Sequence, residues 1–305
     1  RLIPLEEPGV FFTLIAMNNQ IEPQHFIDTL LPVVRQCSQA SLLFYGQVAD
    51  IGKEADRGLT GDKARAASTA FTALDSGLQD ILLSVVLQHF PDIGVIAEES
   101  TPLKRRFARA ESPYLVILDP IDGTWHFKRG DAPYHITIGL ACNGKMLAAI
   151  VARPSEDKIF TAIRGQGAFV QKSNGRKKRL RVQKRTHNNK VFISSKARDY
   201  QELARRHYEL LPREHPLGAA LVLTQIAEGE LVGYLTRQVE IYDAGPPSLI
   251  AEEAGARCLI GPNRTPSYVK RRKFAHFMAA SNSNVEEKLL AIIRHARTGK
   301  ERYPR

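Results

Sequence analysis

The sequence predicts a chain that passes from α+β to α/β, with two helices and an antiparallel sheet in the first half and a mixed α/β arrangement in the second. Three observations carry this reading. Apolar residues recur at helical spacing over residues 21–47 and again over 68–90. Alternating apolar runs flank Asn143-Gly144, a strong hairpin signal. From residue 190 onward, strand-like and helix-like stretches alternate.

The elements follow in order. Residues 21–47 carry Phe26, Leu30, Val33, Val34, Cys37 and Leu42 at helical spacing, with Gly46 near the end. Residues 48–65 read as a loop rich in Gly, Asp and Lys, and 68–90 as a second amphipathic helix stopped by Pro91. "IGVIAEES" and "YLVILD" are short strands that run into acids. Residues 135–154 form the hairpin, and 158–171 continue the sheet. "KVFISSK" is a strand, 200–211 a helix, 218–230 an apolar helix and "LVGYLTRQ" a strand. "PPSLIAEEAGARCLI" reads as helix then strand, with Pro246-Pro247 at the helix start, where proline is tolerated. "FAHFMAAS" is a last strand and 285–297 a last helix. The expected organisation is an extension over 1–20, a half over 21–175 holding most of the acids, and a half over 176–305 that completes a cleft.

Composition narrows the function classes. The chain has 305 residues, 43% hydrophobic and 25% charged, which suits a soluble globular protein. No apolar run approaches the roughly 20 residues of a membrane helix. The first residues lack a basic stretch ahead of their apolar patch, so no signal peptide is expected, and Met17 is the expected natural start. Cys37, Cys142 and Cys258 are far apart and lack metal-ligand spacing, which predicts buried reduced thiols and a cytoplasmic location. Net charge is +11, and residues 164–185 hold nine Lys or Arg without an acid. That run admits a nucleic-acid or other polyanion partner, but a solvated hairpin is favoured because aromatics are not interleaved with the charges.

Acids gather where a globular chain rarely spends them. Glu98-Glu99 end one apolar strand, Asp119 and Asp122 end another, Asp243 follows Ile241-Tyr242, and Asp75 sits inside an apolar helical stretch. One strand-terminal acid is ordinary. Several converging from different elements need a positive partner, and hard cations with oxygen ligands fit. Paired cations serve in-line phosphoryl displacement. In "LDPIDGT" the Ile121 carbonyl offers a neutral oxygen, Gly123 lets the backbone approach a phosphate, and Thr124 adds a hydroxyl.

These residues, "EE", then "LDPIDGT", then an aromatic-Asp pair before a helix, resemble the inositol monophosphatase-like, magnesium-dependent phosphatases. That superfamily includes fructose-1,6-bisphosphatases, 3′-phosphoadenosine 5′-phosphate phosphatases and one class of histidinol-phosphate phosphatases. The resemblance runs from about Ile21 to the end of the sequence. It implies a layered α-β-α-β-α sandwich, a homodimer, two or three Mg2+ ions and hydrolysis of a small phosphate ester by a metal-activated water. It implies that Glu98, Asp119 and the Ile121 carbonyl bind the first ion, and Asp119, Asp122 and Asp243 the second, with a third leaning on Glu98. Asp75 and Thr124 would orient and deprotonate the water, with Glu98 counted in the same catalytic set. Gly123 and Thr124 amides would hold the phosphate, and Asp122 would serve the leaving-group side. Among the residues expected to bind substrate, the backbone amides of Gly218 to Ala220 could contact the leaving group, Ser195 could face the cleft, and Glu240 completes the set.

The sequence also departs from the family pattern. Ala97 stands where Gly usually precedes the two Glu, and Tyr242 where Trp usually precedes the last metal Asp. Thr236 and Glu240 occupy positions where inositol-specific members carry Glu and His, which weakens an inositol-1-phosphate assignment. The Tyr-Asp pair is similar to the histidinol-phosphate class, and the nearby Glu to the adenosine-bisphosphate class. Trp125 and His126 flank the phosphate loop, either packing or contacting substrate. A polyanion- or RNA-binding protein on the same scaffold is the alternative of another class.

Overall fold

The structure, a computed structural model, describes residues 20–47, 62–107, 112–182, 189–210, 217–269 and 273–298, with backbone alone at 62–72, 195, 198, 199, 210 and 296–298. Most of the expected N-terminal extension and of the 48–65 loop lies outside the described residues, as do Lys184, Arg185 and positions 270–272.

Helix α1 (Pro23–Leu42) opens on a proline, whose missing N–H costs nothing in a first turn. It buries Phe26, Leu30, Val34 and Cys37 at the spacing of one helical face. Helix α2 (Asp62–His89) buries Leu78, Leu82, Leu83 and Val86 beside it. The pair covers one face of a seven-stranded sheet. Its strands are β1 (Gly94–Ala97), β2 (Tyr114–Asp122), β3 (His135–Cys142), β4 (Lys145–Arg153), β5 (Lys158–Ile163), β6 (Gly167–Gln171) and β7 (Lys178–Arg179), in sequential order. Only β1 and β2 run parallel; the remaining neighbours are antiparallel, and Asn143 (φ 47°) and Gly144 (φ 78°) make the β3–β4 turn. Short helices α3 (Pro102–Arg105) and α4 (Thr124–Arg129) follow β1 and β2.

Side chains alternate across a strand, so each strand serves two cores. Val116, Leu118, Ile150 and Ala152 face α1 and α2. Ile117, Ala149 and Val151 face the opposite way, onto α6 (Ala219–Glu228) and α7 (Ile241–Glu253). The same helices meet Phe192, Tyr234 and Phe277 of a second sheet. That sheet has the order β11 (Arg257–Leu259), β12 (Lys273–Ala280), β10 (Gly233–Glu240), β8 (Lys190–Ile193), β9 (Glu209–Leu210). It is mixed: β8 is parallel to β10 and to β9, and β12 is antiparallel to its neighbours. Its outer face packs Val191, Ile193, Leu235 and Met278 against α8 (Ser283–Thr298) and α5 (Gln201–Arg205). The layers are therefore α-β-α-β-α.

The middle helices come from the second half of the chain but rest on the first sheet, so the halves share a core. The first sheet also reaches past residue 175 to β7. Three local expectations are corrected. The helix expected over 200–211 is a 3-10 turn (Ser195–Tyr200), the short α5, and an edge strand, because Lys190 and Val191 capture Glu209 and Leu210 as β partners. Pro246 and Pro247 lie inside α7 rather than at its start. The Tyr242 carbonyl that Pro246 cannot pair instead accepts from the Thr137 hydroxyl at 3.3 Å. Cys142 is half-buried, whereas Cys37 and Cys258 are buried as expected, and all three are free.

A polar cluster crosses the core. Arg153, 1% exposed, donates Nε to His135 Nε2 at 3.1 Å, Nη1 to Glu156 at 2.9 Å and Nη2 to Thr224 at 2.6 Å. Glu228 lies 3.1 Å from the same guanidinium and 2.8 Å from Lys158. Among the described residues, no helix is long and apolar enough to cross a membrane.

Candidate active site

In a regular strand, Asp119 and Asp122 would point to opposite faces. Pairing with β3 slips between them: Asp119 stands opposite Thr137, and Asp122 opposite His135. The bulge at Pro120-Ile121 turns both carboxylates to one side. Asp119 Oδ1 accepts the Ile121 N–H at 2.9 Å, which fixes the bulge. Gly123 then takes φ 93°, a left-handed conformation that favours glycine, and caps α4. The Thr124 hydroxyl donates to the Ile121 carbonyl at 3.2 Å.

The other acids arrive from three further elements. Asp243 sits in the first turn of α7. Asp119, Asp122 and Asp243 each offer an oxygen within 4.8 Å of the others. Glu98 follows β1 and hydrogen-bonds Asp119. Asp75, on α2, is buried and feels the charges of Glu98 and Glu99. Asp75 Oδ1 and Glu98 Oε2 are buried without a hydrogen-bond partner.

Such crowding is costly for bare carboxylates. Burial, then Glu98 and Glu99, push Asp75 up to about 8. Burial pushes Asp122 up to about 7 against the relief of the Ala220 amide. Burial and the neighbouring acids hold Asp119 and Asp243 well above the carboxylate range, and Glu98 is raised mainly by burial. Orphaned buried oxygens and converging acids are the donor set a hard divalent cation takes.

Helix α6 contributes through its N-terminus. The Ala220 N–H donates to Asp122 Oδ2 at 2.7 Å. Gly218 caps the helix, and a Cβ there would lie 2.6 Å from the Asp122 carboxylate oxygens, so the close approach requires glycine. The sequence suggested that these amides meet the leaving group; here the Ala220 amide reaches Asp122. Glu240 caps α7 and pairs with Lys273 at 2.8 Å, close enough to raise Glu98 and Asp243. The side chain of Ser195 lies outside the described residues. Trp125 is 40% exposed with Arg129 over its ring, while His126 is buried and its Nδ1 lies 2.8 Å from Asp131. The basic strand β7 forms the sheet edge opposite β1, away from the acids that follow β1 and end β2.

Sequence reasoning missed several residues. Lys196 and Lys128 bring positive charge to Asp243 and Asp75 respectively. Gln79 is fully buried on α2, one turn after Asp75, and that spacing was the available signal.

Fold and acid cluster together define a phosphoric monoester hydrolase. The chain belongs to the inositol monophosphatase family, whose model matches residues 35–297. It is 26% identical to inositol monophosphatase 1 of Bos taurus, over 84% of this chain and 93% of that protein. It is 27% identical to the Nus factor SuhB of Pasteurella multocida, over 72% and 81%. It is 28% identical to a fructose-1,6-bisphosphatase of Pyrococcus furiosus, over 75% and 82%. Among solved structures, an inositol monophosphatase from Zymomonas mobilis superposes with a TM-score of 0.69 at 17% identity, covering 90% of this chain and all of the other (100%).

Proposed function

We propose that this protein is a Mg2+-dependent phosphomonoesterase acting on a small, inositol phosphate-like metabolite. The observation that carries the reading is the Asp119–Asp122–Asp243 cluster, joined by Glu98 and Asp75. Glu98, Asp119 and the Ile121 carbonyl would hold one ion, and Asp119, Asp122 and Asp243 another. Bound there, magnesium supplies Lewis acidity that makes water nucleophilic and stabilises developing negative charge.

The chain's own residues do the rest. Asp75 accepts the water proton; its buried, unpartnered oxygen beside Glu98 supports that role. The Thr124 hydroxyl, held on the Ile121 carbonyl, orients the same water. The Gly123 and Thr124 amides hold the phosphate, and the positive charge of Lys196 near Asp243 suits an anionic substrate.

The test is magnesium-dependent phosphate release from a panel of inositol-1-phosphate, fructose-1,6-bisphosphate, 3′-phosphoadenosine 5′-phosphate and histidinol phosphate. Asp122→Asn should lower kcat/KM by roughly a hundredfold or more on the best substrate. A wild-type protein inactive on the whole panel, or activity indifferent to magnesium, overturns the reading.

A further inference from the structure

We infer that Gln79 and Lys104 form a two-sided clamp that positions Glu98 for its ion. The inference rests on the reading of Glu98 as a metal ligand given above. Glu98 lies just past the end of β1, where a strand would ordinarily pass into a loose turn. Its own N–H donates to the Leu118 carbonyl at 3.3 Å, which carries the β1–β2 ladder one step further. Beyond it, the peptide groups are gripped from both sides.

On one side, Gln79 meets Glu99 as a peptide would. Its Nε2 donates to the Glu99 carbonyl at 2.9 Å, and its Oε1 accepts the Glu99 N–H at 2.9 Å. Gln79 is 0% exposed, so both ends of its amide are committed inside the core. On the other side, the Lys104 ammonium donates to the Ala97 carbonyl and, at 3.0 Å, to the Glu99 carbonyl. Lys104 is itself set by α3, whose cap Thr101 accepts the Lys104 N–H at 3.2 Å and donates its hydroxyl to Asp80 at 2.5 Å. Asp80 neighbours Gln79 on α2, so both jaws trace back to one helix.

That helix also carries Asp75, one turn before Gln79. A single rigid element therefore sets the spacing between the proposed proton acceptor and the proposed ligand. Both jaws act on peptide groups beside the Glu98 carboxylate. Gln79 is a positioning residue because it fixes the backbone on either side of Glu99 without adding charge. Lys104 orients the turn through the Ala97 and Glu99 carbonyls.

The test is Mn2+ affinity of the substrate-free protein by titration calorimetry, for wild type, Gln79→Leu and Lys104→Met, with thermal midpoints recorded alongside. Both variants should weaken Mn2+ binding roughly tenfold or more, with kcat recovering at saturating metal. Lys104→Met separates two causes by sign. Removing a cation near Glu98 should by charge alone tighten Mn2+ binding, whereas losing the clamp weakens it. Lys104→Arg should retain most of the affinity. Wild-type binding with unchanged affinity in Lys104→Met, or a tightened one, overturns the clamp and leaves the proposed function standing. Wild-type protein that binds no Mn2+ overturns both. Should Gln79→Leu fail to fold, Lys104→Met, which alters a half-buried surface position, decides alone.

Discussion

Asp122 is held by the first turn of α6, its Oδ2 receiving the Ala220 N–H at 2.7 Å. The contact joins a strand of the first sheet to a helix that begins many residues later. It exists because Gly218 has no Cβ to obstruct it.

Gly218→Ala therefore tests the contact directly. The backbone at Gly218 (φ −63°, ψ 150°) suits any residue, so the effect is steric. The added methyl should displace the Asp122 carboxylate, lowering kcat/KM by roughly a hundredfold and stability by about 1–3 kcal/mol. Steady-state kinetics and urea unfolding read the two effects.

The acid cluster predicts a pH-dependent response to metal. Asp75 and Asp122 have folded pKa values of about 8 and about 7, above the ordinary 3.8. In metal-free protein their stabilising contribution is complete below that ordinary value. It declines as pH rises and is lost once pH passes the folded values. Magnesium binds the ionised form, so the rise in Tm that it produces should grow between pH 6 and about 9. Differential scanning fluorimetry with and without Mg2+ checks this; a Tm rise independent of pH contradicts it.

His135 gives a second pH effect of defined sign. Burial, then the Arg153 charge, hold it well below its ordinary 6.5, so the folded protein keeps it neutral. A base with a depressed folded pKa loses stability as pH falls below the unfolded value. His135→Gln, which can still accept from Arg153, should lose less stability than wild type between pH 7.5 and pH 5.5. Urea midpoints at the two pH values measure the difference.

Arg153→Met should destabilise the fold by about 3–5 kcal/mol. The substitution removes the guanidinium shared by His135, Glu156, Thr224 and Glu228 and leaves the buried His135 Nε2 without its donor. Chemical denaturation tests it, with Lys158→Met as the milder control, because Lys158 is partly exposed.

The parts of the site legible in the sequence are those written locally. Asp119, Asp122, Gly123 and Thr124 are one short run, and the Asn143-Gly144 turn depends on two residues. The antiparallel sheet of the first half followed from alternation in the runs that flank this turn, whereas its place in a layered sandwich came from the resemblance. What sequence concealed depends on distant partners. Gln79 looked like one polar residue in an apolar helix until Glu99 came alongside it. Tyr200, Ala204 and Tyr208 keep helical spacing, yet β8 draws the following residues into a strand. Pro246-Pro247 obeyed the rule for helix starts, but Thr137 allows α7 to begin earlier.

The sharing of one core by both halves also sets an order of events during synthesis. A chain emerging amino end first presents Asp75, Glu98, Asp119 and Asp122 well before Asp243 and the amide of Ala220 exist. The acid cluster is thus complete only once α6 and α7 have been made. A translation product that stops before α6 has the signature motif in full and still lacks Asp243 and the amide that holds Asp122, so a complete acid cluster reports that synthesis has passed α7.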